Sequence, residues 1–116
     1  MLQTFSRQLL LGAGIAATRA VVDAGHKSHA IDSGLPQVWP LPGQPALQFG
    51  NGGDEHGMLR LGDQGGQLPA LGDTVWLIPG HCDPTVNLHN QYVVVGGGLT
   101  AGVVEAVVPV EARGVW

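Results

Sequence analysis

Residues 74–80, Thr74-Val75-Trp76-Leu77-Ile78-Pro79-Gly80, decide how this chain is read. Its β-branched, aromatic and aliphatic residues suit a pleated, half-buried strand. Pro79-Gly80 stops it, because proline supplies no backbone N–H and glycine turns freely. Similar segments recur outward from it at roughly ten-residue spacing. Ala20-Val21-Val22-Asp23-Ala24 is ended by Gly25, and Gln44 to Phe49 runs into the turn cluster Gly50-Asn51-Gly52-Gly53-Asp54. Met58 to Leu61, Tyr92 to Val95 before three glycines, and Gly102 to Val110 complete the set. About six or more short strands so spaced predict an all-β domain, a small barrel or sandwich. The Pro-rich piece from Pro36 to Pro45 predicts an extended excursion over the surface, since proline fixes φ and removes donors.

Composition agrees. Nineteen glycines and eight prolines in 116 residues interrupt helices too often for a helical bundle. A hydrophobic content of 44% and a mean hydropathy of +0.16 exclude a disordered chain. The length is that of one domain. The net charge is −4, and the five basic residues, Arg7, Arg19, Lys27, Arg60 and Arg113, form no stripe, so no nucleic-acid partner is expected. The single cysteine, Cys82, excludes an internal disulfide and fits a reducing compartment, which makes a cytoplasmic location the expectation. No apolar run approaches the roughly 20 residues of a membrane-spanning helix, so no membrane partner is expected either.

The first nineteen residues stand apart from residues 20–116, which read as the β domain. Met1 to Ala20 admits a short secretory-type leader, with LLLGAGIAA after one arginine. Gly12-Ala13-Gly14-Ile15-Ala16-Ala17 also satisfies a dinucleotide fingerprint, with Asp32 downstream. That fingerprint works only inside a βαβ unit, and Gly25 arrives too early for one, so the match is read as chance. The third reading, a leading strand and loop, fits best.

Chemistry concentrates between Pro79 and Tyr92, where His81-Cys82-Asp83-Pro84-Thr85-Val86-Asn87-Leu88-His89 lies between two hydrophobic strands. Read as an extended segment, it would place His81 and Asp83 on one side and Cys82 on the other. An imidazole nitrogen with a carboxylate oxygen suits Mn²⁺, Fe²⁺ or Zn²⁺. Asp83 before Pro84 also starts turns, so a capped turn without metal is an equal reading from spacing alone. His81, Asp83 and His89 could form a 2-His-1-carboxylate iron set, although that arrangement draws its second histidine from a distant strand. A cupin-like barrel is weaker still, lacking a close histidine pair before a strand.

Trp76 to His89 resembles the metal-binding signature of the D-threonine aldolase and D-serine dehydratase-like family. Val22-Asp23-Ala24-Gly25-His26-Lys27 with Asp32-Ser33-Gly34-Leu35-Pro36 resembles a second block, and Gly53-Asp54-Glu55-His56-Gly57 a third. Thr4-Phe5-Ser6-Arg7 echoes the family's first strand in this region. The resemblance implies the C-terminal β domain of a fold-type III pyridoxal phosphate enzyme, like that of alanine racemase-like proteins. It implies His81 and Asp83 as metal ligands. The dehydratase-like branch carries cysteine where this chain has Asp83, so an aldolase-like lyase with Mn²⁺ is favoured over Zn²⁺, and Cys82 is a bystander. The implied reaction is retro-aldol cleavage of a D-3-hydroxy-amino acid to glycine and an aldehyde, eased by a metal that lowers the pKa of the substrate β-hydroxyl. His81 is also the candidate for moving that proton. A D-serine dehydratase-like ammonia-lyase domain and a stand-alone metal-binding β module are the alternatives.

The family binds pyridoxal phosphate through a lysine of an N-terminal barrel that these residues do not resemble. Lys27 is the only lysine and reads as a surface residue. The chain is therefore expected to be one piece of a larger or split enzyme, its partners being the barrel, the substrate and further copies of itself. Asp54 and Glu55 read as exposed turn carboxylates, and His26, His29 and His89 as polar residues near turns. Trp39, Trp76 and Trp116 are expected to pack the core or the face toward the barrel. Supplied with pyridoxal phosphate, Mn²⁺ and D-threonine, the isolated chain should release no glycine above a protein-free blank. Measurable turnover would refute the dependence on a separate cofactor domain.

Overall fold

The structure, a computed structural model, describes residues 2–7 and 18–114. The Gly12–Ala17 motif and Trp116 lie outside them. Among the described residues eight strands form: β1 (Leu2–Arg7), β2 (Ala20–Val22), β3 (Gln37–Val38), β4 (Leu47–Asn51), β5 (Gly57–Leu61), β6 (Thr74–Ile78), β7 (Gln91–Gly96) and β8 (Val103–Pro109). One short helix, α1 (Cys82–Val86), separates β6 from β7. The first six strands make an antiparallel sheet in the order β3-β6-β1-β2-β5-β4, and β7 with β8 make a separate ribbon. The chain is all-β as expected, but the sheet does not close into a barrel. Its edges, β3 and β4, approach each other without pairing.

Alternation decides which face is the core. In β6, Val75 and Leu77 are buried, whereas Thr74, Trp76 and Ile78 are only partly covered. Ala20, Val22 and Ala24 join them from β2 and its end, with Leu59 from β5 and Leu68 from the following loop. Val38, Leu47, Phe49 and Leu61 seal the margin. These are small and branched side chains, so the two halves of the curled sheet can approach closely.

The Pro-rich stretch departs from its expected role as a surface excursion. Gln37 and Val38 pair with Ile78 and Leu77 of β6, and the Trp39 amide donates to the Trp76 carbonyl at 2.8 Å. Pro36 and Pro40 bracket this segment, so every N–H inside it remains available, which is where proline is tolerated beside an edge strand. Trp39 stays 41% exposed instead of entering the core.

The loop after β2 contains a second departure. His29, read as a polar turn residue, is buried at 1% exposure. Its ring meets Phe49 edge-on at 5.3 Å between centroids, and Nδ1 lies 3.4 Å from the Ser28 hydroxyl. Nε2 has no hydrogen-bond partner among the described residues. Burial, and secondarily the neighbouring His26, hold this imidazole below the ordinary histidine pKa of 6.5.

The β7–β8 ribbon behaves differently. Val93, Val94, Val95, Val103, Val104, Val107 and Val108 are all at least 36% exposed, and a register shift falls between Val94 and Val95. Among the described elements the ribbon packs backbone to backbone only with itself. The Val110 amide anchors its base to the Asn90 carbonyl at 2.9 Å.

Removing the fully buried Leu77 side chain by Leu77→Ala should cost about 2–5 kcal/mol, read from urea unfolding at constant slope. His29 gives a pH effect of known sign. The unfolded ring takes up a proton more readily than the folded one, so its contribution is complete above about 6.5 and is lost as pH falls through the lower folded value. The urea midpoint should therefore drop on mild acidification, and His29→Gln should flatten that drop.

Candidate functional site

The segment after β6 is not the extended loop expected from its proline. His81 is extended, with φ −146° and ψ 116°, and forms the N-cap of α1. Pro84 sits in the first turn, where its missing N–H has no helical partner to lose, and the Asp83 carboxylate suits the positive end of the helix. The two-residue alternation that would align His81 with Asp83 therefore stops at Cys82, where helical backbone begins. His81 makes no side-chain cap, which leaves its ring free to reach elsewhere.

It reaches Asp32. Nδ1 of His81 donates to Oδ2 of Asp32 at 2.6 Å, and the Ser33 hydroxyl donates to the same oxygen at 3.1 Å. The Ser33 oxygen also lies 3.3 Å from Nδ1. The histidine contact, reinforced by Ser33, holds the Asp32 carboxyl below its usual range. A carboxylate can only accept, so Nδ1 carries a hydrogen, and in the neutral ring that makes Nε2 the lone-pair nitrogen. No described residue makes a hydrogen bond to Nε2.

Backbone proximity produces this pair. A Cβ on Gly80 would fall 2.6 Å from the Gly34 carbonyl oxygen, so the turn before His81 lies directly on the Ser33-Gly34 turn. Two further contacts continue the seam. The Thr85 hydroxyl donates to the His81 carbonyl at 2.7 Å and accepts from the Ala30 amide at 3.1 Å. His89 donates from Nε2 to the Ser28 carbonyl at 2.8 Å. Residues 28, 30 and 32 of the loop after β2 thus meet 89, 85 and 81 in and on either side of α1. Because His89 is committed to Ser28, the 2-His-1-carboxylate set with His81 and Asp83 does not assemble.

The remaining candidates divide by position. Asp83 is exposed, and no described residue pairs with its carboxylate. Cys82 is an exposed free thiol lining a groove with Trp76 and Tyr92. Lys27 pairs with Glu55 at 2.8 Å on the surface, each raising the other's preference for its charged form. This turn borders an open pocket of about 450 Å³ that also includes Asp54 and His56. Gly25 joins the two blocks, since a Cβ there would lie 2.4 Å from the Asp54 carbonyl carbon. Among the described residues no group of three or more histidine, cysteine or acidic side chains could hold a metal. His81 and Asp83 would supply two ligands, with the other positions open. Asp32 had no assigned role at the metal; its place in the Asp32-Ser33-Gly34-Leu35-Pro36 block was the signal that could have found it.

The chain is similar to named relatives. A 3-hydroxy-D-aspartate aldolase of Paracoccus denitrificans is 46% identical over 95 residues, 82% of this chain and 22% of that protein. A D-threonine aldolase of Arthrobacter sp is 41% identical over 99 residues, covering 85% of this chain and 24% of the relative. The crystal structure of D-threonine aldolase from Filomicrobium marinum superposes with a TM-score of 0.71 at 35% identity, over 96% of this chain and 27% of that one. The chain thus spans about a quarter of the length of these relatives. The family model described as "Putative serine dehydratase domain" matches residues 13–95, which include β6, α1 and the Asp32–His81 pair, and the chain belongs to that serine dehydratase domain family.

Proposed function

We propose that this domain is the metal-bearing part of a pyridoxal phosphate-dependent, D-threonine aldolase-like lyase acting on D-3-hydroxy-amino acids. One observation carries the reading: His81 and Asp83 stand exposed at the head of α1, with Nε2 and the carboxylate uncommitted among the described residues, inside a domain whose relatives are named as aldolases. A neutral imidazole nitrogen and a carboxylate oxygen form a donor set that accepts Mn²⁺ or Zn²⁺, and the carboxylate tilts the choice toward Mn²⁺. Two protein ligands leave coordination positions for water or substrate, as a catalytic site requires.

A divalent cation held there supplies Lewis acidity, lowering the pKa of a substrate hydroxyl, and pyridoxal phosphate supplies the electron sink for Cα–Cβ cleavage. The chain's own residues do the rest of the work on this side of the site. His81 and Asp83 fix the cation. Asp83 also offers a carboxylate oxygen for hydrogen bonding an incoming hydroxyl. Lys27, paired with Glu55 on the surface, is not the cofactor lysine of this reading. This reading assigns that lysine to the roughly three quarters of the relatives' length that this chain does not span. The exposed valines of the β7–β8 ribbon are suited to be covered by that part, or by another copy.

Calorimetric titration with Mn²⁺ tests the ligand assignment directly. The unmodified chain and Cys82→Ala should bind alike, whereas His81→Ala and Asp83→Ala should each lose binding by at least about tenfold. Loss on Cys82→Ala alone would instead make the thiol a ligand and refute the aldolase-like assignment.

A further inference from the structure

The Asp32–His81 contact is worth more to the ring's orientation than to the fold. Both side chains are about half exposed, and pairs of that kind contribute little to stability. The contact is nevertheless short, at 2.6 Å, and Ser33 braces the same carboxylate oxygen. Both partners are set by backbone, Asp32 by its turn and His81 by the Gly80 approach to Gly34. A free imidazole exchanges its hydrogen between two nitrogens and rotates about χ2. A carboxylate on Nδ1 removes both freedoms: it fixes the hydrogen on Nδ1, stops the ring's rotation, and leaves Nε2 as the donor to a metal.

We propose that Asp32 is a positioning residue that orients the His81 imidazole and selects its Nδ1–H tautomer, so that Nε2 is presented as the metal ligand. This rests on the metal reading of His81 given above. Asp32 acts through His81 and does not itself touch the ion. Ser33 assists by donating to the carboxylate, which keeps Oδ2 aimed at Nδ1.

Two measurements on the full chain decide the matter. In a buffer alkaline enough to keep the ring neutral, the ¹⁵N shifts of His81 should report the Nδ1–H form, and Asp32→Ala should move the ring toward the Nε2–H form. A purely structural role for Asp32 would not move that signal. Calorimetry with Mn²⁺ should show binding weakened roughly 10–100-fold by Asp32→Ala. Asp32→Asn, which keeps an oxygen acceptor, should fall between Asp32→Ala and the unmodified chain. An Nε2–H ring in the unmodified chain overturns the inference whatever the metal does. So does unchanged Mn²⁺ affinity in Asp32→Ala when His81→Ala has lost it, and that outcome leaves the metal reading standing. Complete loss in Asp32→Asn, equal to that of His81→Ala, would make Asp32 a direct ligand and also overturn it. No Mn²⁺ binding by the unmodified chain, or full binding by His81→Ala, removes the metal reading and the inference together.

Discussion

The close approach of the Pro79-Gly80 turn to the backbone of Ser33-Gly34 is the constraint on which the site depends. It is possible only because residue 80 has no Cβ; a methyl group there would sit 2.6 Å from the Gly34 oxygen. With the two turns in contact, the segment after β2 must run along α1, and the three hydrogen-bonded meetings at 28–89, 30–85 and 32–81 follow from backbone geometry. The buried Thr85 hydroxyl satisfies groups on both sides of that seam, so the helix cannot rotate without leaving polar atoms unpaired. A five-residue helix has little stability of its own, and these contacts supply what propensity does not.

The sheet and the site divide the chain's chemistry between them. The core is assembled from alanine, valine and leucine on alternating positions of β2, β5 and β6, with His29 as the one buried ionisable group among the described residues. The candidate ligands stand outside it, on the turn that leaves the strongest strand. A rigid strand end gives such a turn a fixed origin, while its exposure leaves coordination positions open to small molecules. Exposure also limits what the ion pairs contribute. Lys27–Glu55 and His81–Asp32 lie in water, where they orient side chains more than they stabilise the fold. The ribbon of β7 and β8 is the opposite case, an apolar surface whose valines stay at least 36% exposed.

How much of this was legible depended on whether the signal was local. Thr74–Ile78 announces itself by composition and forms β6 over the same residues. Met58–Leu61, Tyr92–Val95 and Gly102–Val110 become β5, β7 and β8 with ends moved by one residue at most, since ladders end where partners end. Gln37–Val38 was hidden between prolines, because pairing with Leu77 and Ile78 is a property of two distant segments. The helical turn at Cys82–Val86 was hidden by Pro84, which reads as a breaker unless it falls in a first turn. His29 looked like any polar loop residue, and only the packing of Phe49 against it reveals that it is buried.

The sequence by itself determined the strand-rich class, the order of the three motif blocks and the residue types at the head of α1, because each depends on neighbouring side chains and backbone freedom. It could not determine that Asp32 and His81, 49 positions apart, would share a hydrogen bond, or that His89 would turn to Ser28 and leave any shared ligand set. Those outcomes depend on two turns meeting in space, and a turn's partner is chosen by the curvature of the whole sheet and not by the residues within the turn.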